Sequence, residues 1–291
     1  MKNRFIIALL LLWQFAAAQT NSWKGTTSTS WRTASNWSLN LVPTLAHDVV
    51  IGDAAFTGLF QPSLSSSSVC KSLVIGVTKV ATLTMVSSRT LSINGNITIN
   101  SGSTLIHGTS GNYGTLSIKG NFVNNGTYTP GTTKTKVVFN GTSQTIGGTV
   151  ATIFKRITIN AGSTVTLTNN ISATGNSTPS ISISGTLNPS TYSITGNNGM
   201  TVNSGGKIYI YTALFTGNYS LSGTISLSPG SITEYASSSL TQSISNYTYS
   251  TLIISGGSTK ILTSNLNSLN SNSVLYGNIY VNSGTLDLGI Y

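Results

Sequence analysis

The sequence predicts an all-β chain wound into a right-handed parallel β-helix, a β-solenoid, behind a tryptophan-rich N-terminal cap, and three observations predict it. A short phrase recurs: Ile97-Thr-Ile-Asn-Ser-Gly-Ser-Thr-Leu105 returns as Ile157-Thr-Ile-Asn-Ala-Gly-Ser-Thr-Val165 and as Met200-Thr-Val-Asn-Ser-Gly-Gly-Lys-Ile208, with a trimmed copy at Ile279-Tyr-Val-Asn-Ser-Gly284. A β-rich triplet followed by Asn, a small residue and Gly is how stacked coils look when written in one dimension. The composition agrees. Only 6% of the residues are charged and the chain leans on Ser, Thr, Asn and Gly, so the unbranched helix formers are scarce while strand and corner residues abound. Finally, Leu91, Ile93, Ile97 and Ile99 alternate with Ser92, Asn94 and Thr98, which turns apolar side chains to a lumen and polar ones to solvent. The same alternation, together with the low charge, argues against disorder.

Residues 1–18 read as a secretory signal peptide: Lys2 and Arg4 precede an apolar run from Phe5 to Trp13, and Ala16-Ala17-Ala18 supplies small residues for cleavage before Gln19. No later segment reaches the length a spanning helix needs, so no membrane span is expected. Residues 19–65 differ in texture, with Trp23, Trp31 and Trp37, then Pro43 and Asp48, within thirty residues. An open stack of coils exposes its first apolar layer and needs a plug, and large aromatics on a small irregular unit provide one. A tryptophan platform for sugar stacking is the functional alternative for this unit.

From residue 66 to 291 the chain reads as solenoid repeats, roughly ten coils. The turn asparagines Asn100, Asn160, Asn203 and Asn282 are separated by 60, 43 and 79 residues, near multiples of about 20, an ordinary rung length. Leu91-Ser-Ile-Asn-Gly-Asn-Ile97 returns 25 residues later as Leu116-Ser-Ile-Lys-Gly-Asn-Phe122. A longer echo matches Gln144-Thr-Ile146 to Gln242-Ser-Ile244 and Phe154 to Tyr249, offsets of 98 and 95, which suggests a duplicated block of coils. Turn asparagines are expected to form a ladder from coil to coil. Asn94-Gly95 and Asn140-Gly141 are also hairpin signals, so an antiparallel β-sandwich is the structural rival.

The opening Trp-x-Gly, Trp, Asn-Trp, Val-Pro, Asp-x-Val-x-Ile pattern is carried by Trp23, Gly25, Trp31, Asn36, Trp37, Val42, Pro43, Asp48, Val49 and Ile51. It resembles the start of secreted β-solenoid surface proteins of gliding-type bacteria and is similar to the eight-glycine extracellular domain. The body phrases, Val138-Phe-Asn-Gly-Thr-Ser-Gln-Thr-Ile146 among them, resemble the coils of the same adhesin-like group. The resemblance implies export by the type IX route and a C-terminal sorting domain. The chain instead reaches Tyr291 in what reads as another coil, which suggests either continuation in a longer product or a partner covering that end.

Chemistry is sparse. Polysaccharide-cutting β-helix enzymes need several carboxylates on one face, yet the acids are Asp48, Asp53, Glu234 and Asp287, scattered along the chain. Asp48 reads as an acceptor of backbone hydrogen bonds in a turn. Cys70 is the single cysteine and reads as a buried, inert thiol; His107 reads as a turn residue; neither belongs to a nucleophile, zinc or phosphate-loop motif. No catalytic residue, metal or cofactor is expected. The formal charge of +10 falls to +8 once Lys2 and Arg4 are removed, leaving 12 basic against 4 acidic residues. Lys134, Lys136, Lys155 and Arg156 are its nearest approach to a cluster, too thin for a nucleic-acid stripe; the overall balance permits a weak attraction for anionic polysaccharide or membrane surfaces, and solvated lysines that keep the protein soluble are the favoured alternative.

One binding feature stands out in Lys207-Ile-Tyr-Ile-Tyr211, where alternation sends Tyr209 and Tyr211 outward on one face beside Lys207, a patch for a sugar ring. Cross-strand packing of tyrosines on the sheet is the structural alternative. The sequence thus predicts a non-enzymatic, secreted, adhesin-like structural module of the bacterial cell surface, with surface polysaccharide or other cell-surface components as partners. A carbohydrate-binding module, or a fragment of a polysaccharide-degrading β-helix enzyme, is the alternative.

Overall fold

The computed structural model describes residues 19–86, 88–108, 113–131, 134–263 and 277–290. The signal-peptide expectation for residues 1–18 lies outside the described residues, as do 264–276 and Tyr291 of the repeat region.

The chain is an all-β parallel solenoid of about ten turns, and each coil visits up to three sides in fixed order. Side one is a single twelve-stranded sheet running from Gln19–Ser22 and His47–Ile51 to Thr251–Ile254 and Ile279–Val281. Side two is built in three pieces, beginning with Ser63–Leu64, Thr82–Met85, Thr104–His107 and Thr127–Pro130. Side three is an eight-stranded sheet from Ser68–Cys70 to Ile225–Leu227. Among the described residues every strand pairing is parallel, as in Leu91↔Leu116 and Ile97↔Phe122, and only the isolated bridge Trp23↔Trp37 is antiparallel. The sandwich alternative is excluded by that parallel pairing.

Apolar side chains fill the lumen in columns. On side one Val49, Leu73, Ile97, Phe122, Ile146 and Leu167 follow one another in register, all essentially inaccessible to solvent. Burying each contributes about 1.5–3 kcal/mol relative to exposure. The lumen also holds an aromatic cluster of Phe122, Tyr128 and Phe154, with centroids 5.3–5.5 Å apart and mostly edge-on.

The recurring phrase is a corner. Asn100, Asn160 and Asn203 each accept a hydrogen bond at their carbonyl from the amide three residues on, at 3.0, 3.1 and 2.9 Å. The glycine between, Gly102, Gly162 or Gly205, has φ near +76 to +78°, where a side chain would be strained. The first and fourth copies turn from side one to side two, whereas the second and third turn from side three to side one. The expectation that all four asparagines count one rung length is therefore corrected: only the separation of 43 spans whole coils on one side, through Ile157↔Ile181↔Met200. Actual coils are uneven, with steps of 24 residues from Val49 to Leu73, 25 from Ile97 to Phe122 and 19 from Thr233 to Leu252. A corner motif is local chemistry and fits any corner, so it marks bends and not register.

The asparagine ladder is likewise corrected. Asn100 Nδ2 donates to the Gly76 carbonyl at 2.6 Å and Asn203 Nδ2 to Ser182 Oγ at 3.1 Å, so these turn asparagines bond to other groups of the preceding coil instead of to each other, while Asn96 Oδ1 and Asn121 Oδ1 accept from the Asn121 and Thr145 amides of the following coil at 2.8 Å. At Asn140-Gly141 the hairpin signal serves another end: a Cβ on Gly141 would lie 1.8 Å from the Lys119 carbonyl oxygen of the preceding coil.

The long echo has a physical meaning too. Gln144 is buried, its Nε2 donating to the carbonyls of Ile118 (3.0 Å) and Gly120 (2.6 Å) while its Oε1 accepts from the Gly141 amide (2.7 Å). Gln242 repeats the arrangement with Ile210, Thr212 and Ser237. The two clamps nevertheless sit on different sides, Gln144 on side one and Gln242 on side two, so the echo repeats local structure rather than whole coils. Replacing Gln144 by Leu removes the partner of the Gly141 amide and of the Gly120 carbonyl, while the Ile118 carbonyl keeps the Asn140 amide, and should lower unfolding free energy by on the order of 2 kcal/mol, whereas Thr145→Val, on the outer surface of the same strand, should change it by less than about 0.5 kcal/mol. Urea denaturation of the two variants measures the difference.

Candidate binding surface

The three tryptophans are fully buried, which removes a tryptophan platform for sugars. Trp37 lies edge-on between Trp23 (4.9 Å) and Trp31 (4.7 Å), and its indole donates to the Trp31 carbonyl at 2.8 Å while that of Trp23 donates to the Phe60 carbonyl at 2.8 Å. Asn36, buried beside them, holds the loop by accepting from the Thr27 and Ser28 amides. Pro43 is buried as well. Gln19–Ser22 and His47–Ile51 already belong to side one, so this unit is continuous with the coils that follow it. Asp48 departs from its expected turn role: it points outward from strand His47–Ile51 and accepts from Ser72 Oγ at 2.5 Å, with Lys71 Nζ at 3.4 Å. It bridges two coils through side chains because neighbouring strands bring those groups opposite it, although they are 23 and 24 residues away in sequence.

Strand Lys207–Ile210 on side one carries the predicted tyrosine patch. Ile208 and Ile210 face the lumen, and Tyr209 and Tyr211 are half-buried on the outside. Their rings stack on each other, centroids 5.8 Å apart at 21°. Lys207 Nζ sits 4.4 Å from the Tyr209 centroid and 2.6 Å from Glu234 of the next coil. Lys207 precedes Tyr209 by two residues and Tyr211 follows it by two, so Tyr209 is flanked on both sides. What this surface offers a sugar is the half-buried Tyr211 ring and the Lys207–Glu234 pair, the phenols themselves hydrogen-bonding to Asn188 and Lys207. Burial works against the Lys207 charge, but the hydrogen bond to Glu234, helped by Tyr209, outweighs it and holds the ammonium above its usual range. Burial, with Tyr209 and Glu234 beside it, raises Tyr211. Glu234 was invisible as a member of this cluster in the sequence, since only the register Tyr209↔Glu234 brings it there.

The other reactive side chains are engaged elsewhere. Asp53 accepts from Ser22 Oγ and from the Ala55 amide, Glu234 also accepts from Ser255 Oγ at 2.5 Å, and Asp287 accepts from the Gly289 amide at 2.8 Å. Asp48 and Glu234 share side one but are eight strands apart, about 38 Å at about 4.8 Å per strand, whereas glycoside hydrolysis needs carboxylates within about 5–10 Å. Burial, with Asp48 nearby, pushes the Cys70 thiol up to about 12. Among the described residues no three His, Cys, Asp or Glu side chains are grouped to hold a metal ion, and no helix is long and apolar enough to cross a membrane. Sequence reasoning also missed Lys260, buried in the lumen and held by the Ser237 carbonyl at 2.8 Å and Ser258 Oγ at 2.7 Å. Burial lowers its pKa.

His107 corrects a further expectation. It ends strand Thr104–His107 facing the lumen, its Nδ1 2.6 Å from the Tyr128 hydroxyl of the next coil, because strand alternation continues through it instead of breaking into a turn.

Residues 22–137 match the model of a domain of unknown function, DUF8693. The match covers the tryptophan unit and the coils up to the start of strand Lys136–Phe139, and it ends before the Tyr209–Tyr211 surface. No curated protein and no solved structure matches the chain.

Burial drives the His107 imidazole down to about 4, the Gly114 backbone offsetting part of the effect. Between pH 6.5 and about 4 the unfolded chain therefore takes up a proton that the folded chain refuses, so stability present above pH 6.5 is lost as pH falls through that window, by on the order of 3 kcal/mol. Urea unfolding at pH 7 and pH 4 should reveal this loss, and the double variant His107→Leu/Tyr128→Phe should lack it.

Proposed function

We propose that this chain is an exported, non-enzymatic, adhesin-like β-solenoid of the bacterial cell surface, a rigid rod that presents polar outer sides to carbohydrate. One observation carries the reading: the four carboxylates are each committed to a neighbouring hydroxyl, amide or ammonium, and the two on side one are about 38 Å apart. A continuous wall of strands bearing outward hydroxyls suits display and adhesion better than acid–base chemistry. Release of reducing ends or unsaturated products from plant, algal or bacterial polysaccharides by the purified chain would overturn this reading in favour of a degrading enzyme.

Export rests on residues 1–18 and on the resemblance of the opening pattern to secreted surface proteins. N-terminal sequencing of the protein recovered from outside its host should begin at Gln19; recovery of a chain that still starts at Met1 would contradict it.

The Tyr209–Tyr211 surface favours a carbohydrate-binding role within this reading, since an aromatic ring beside a charged hydrogen-bonding pair is suited to a sugar. Tyr209→Ala/Tyr211→Ala should weaken retention on a glycan array at low salt by about tenfold, a loss comparable to that of one stacked aromatic. Unchanged retention with an unchanged melting temperature would confine the tyrosines to packing.

A further inference from the structure

Side three carries a feature that the tyrosine surface does not involve. Its outward column at the start of successive strands is Thr90, Thr115, Lys136 and Arg156, each in register with the next. A hydroxyl fills the first two coils, and cations fill the following two. Like charges on adjacent strands destabilise a sheet, and no carboxylate relieves them: the chain has no Asp or Glu between Asp53 and Glu234 but nine Lys and Arg residues. Arg89, Lys134 and Lys155 adjoin the same edge, the first two exposed. Lys134 Nζ lies 5.0 Å above the Tyr113 ring, and Lys155 Nζ donates to Thr174 Oγ1 at 3.3 Å. Five cations thus line one edge over four coils, about 14 Å. Beside them the outward centre of the side bears Ser92, Ser117, Val138 and Thr158, and Lys119 stands at the far edge in a shallow groove with Leu45, Val69, Ser92, Ser117 and Asn140.

We propose that this edge of side three binds a linear acidic polysaccharide, one bearing a carboxylate or sulfate on successive sugars. Coils repeat at about 4.8 Å, close to the length of one sugar ring along an extended chain, so cations on consecutive coils meet anions on consecutive rings. The neighbouring Ser and Thr hydroxyls donate to and accept from the ring hydroxyls. Each exposed contact is weak on its own; the row acts through their sum and is screened by salt. Single-stranded nucleic acid asks for a row of free aromatics on which bases stack, and among the described residues of this edge the exposed ring, Tyr113, is covered by Lys134.

The full mature chain should be retained on immobilised alginate or polygalacturonate at low salt, released as salt rises, and pass freely through neutral dextran. Lys136→Thr/Arg156→Thr restores the residue type of the two preceding coils and should weaken binding about tenfold without lowering the melting temperature. Arg89→Thr/Lys134→Thr, confined to exposed side chains, should weaken it in the same direction, whereas the charge-matched control Lys24→Thr/Arg32→Thr should not. Absence of retention, equal weakening by the control, or tighter binding to single-stranded DNA or anionic vesicles than to polyuronate would overturn the proposal. None of these outcomes bears on the reading of the chain as a scaffold, which rests on side one and the carboxylates.

Discussion

Parallel backbone pairing between consecutive coils is the constraint on which everything else here depends. The amide of Asn100 reaches the Ile75 carbonyl at 2.9 Å, that of Lys119 reaches Ile93 at 3.0 Å and that of Asn140 reaches Ile118 at 3.0 Å, so the strands of a coil find their main-chain partners in its neighbours. No single coil can satisfy these groups alone, which makes stability a sum of nearest-neighbour interfaces. The pairing also fixes register, and register decides which side chains meet.

Corners must satisfy the same demand where the ladder bends. Buried Gln144 and Gln242 each pair one corner amide and one corner carbonyl and add a second donor to a strand carbonyl, Ile118 or Ile210, and Asn96 and Asn121 hand their carbonyl oxygens to the next coil's amides. Amide side chains suit this task because they carry donor and acceptor at once and add no charge to a lumen that excludes water. The abundance of Asn in so weakly charged a chain fits this demand. His107 and Lys260 are two basic groups placed in the lumen, held by a phenol and by carbonyls respectively.

Outside, the sheets leave regular rows of side chains at the spacing of the strands. Most positions are Ser or Thr, which hydrogen-bond water and tolerate neighbours of their own kind. Two departures from that background, the Lys207–Tyr209–Tyr211 group with Glu234 on side one and the Lys136–Arg156 pair on side three, are where the surface gains chemical character. They lie on different sides, so a rod of this kind can present separate surfaces without altering its core.

The fold class was legible because its signals are periodic and local: alternation in Leu91 to Ile99, the Asn-x-Gly corner, and the echo of Leu91–Ile97 in Leu116–Phe122, whose 25-residue offset is one coil. The outward placement of Tyr209 and Tyr211 and the burial of Trp23, Trp31 and Trp37 followed from the same rules. What the sequence by itself determined was therefore the parallel coil, its apolar lining and the chemistry of its bends. Only the tertiary structure decided which corner each phrase occupies, that Asp48 meets Ser72 and Glu234 meets Lys207, and that His107 and Lys260 lie inside. The physical reason is that coil length varies with the loops inserted at corners, from 19 to 25 residues across the coils compared above, so contacts between coils depend on an accumulated register that no local pattern records.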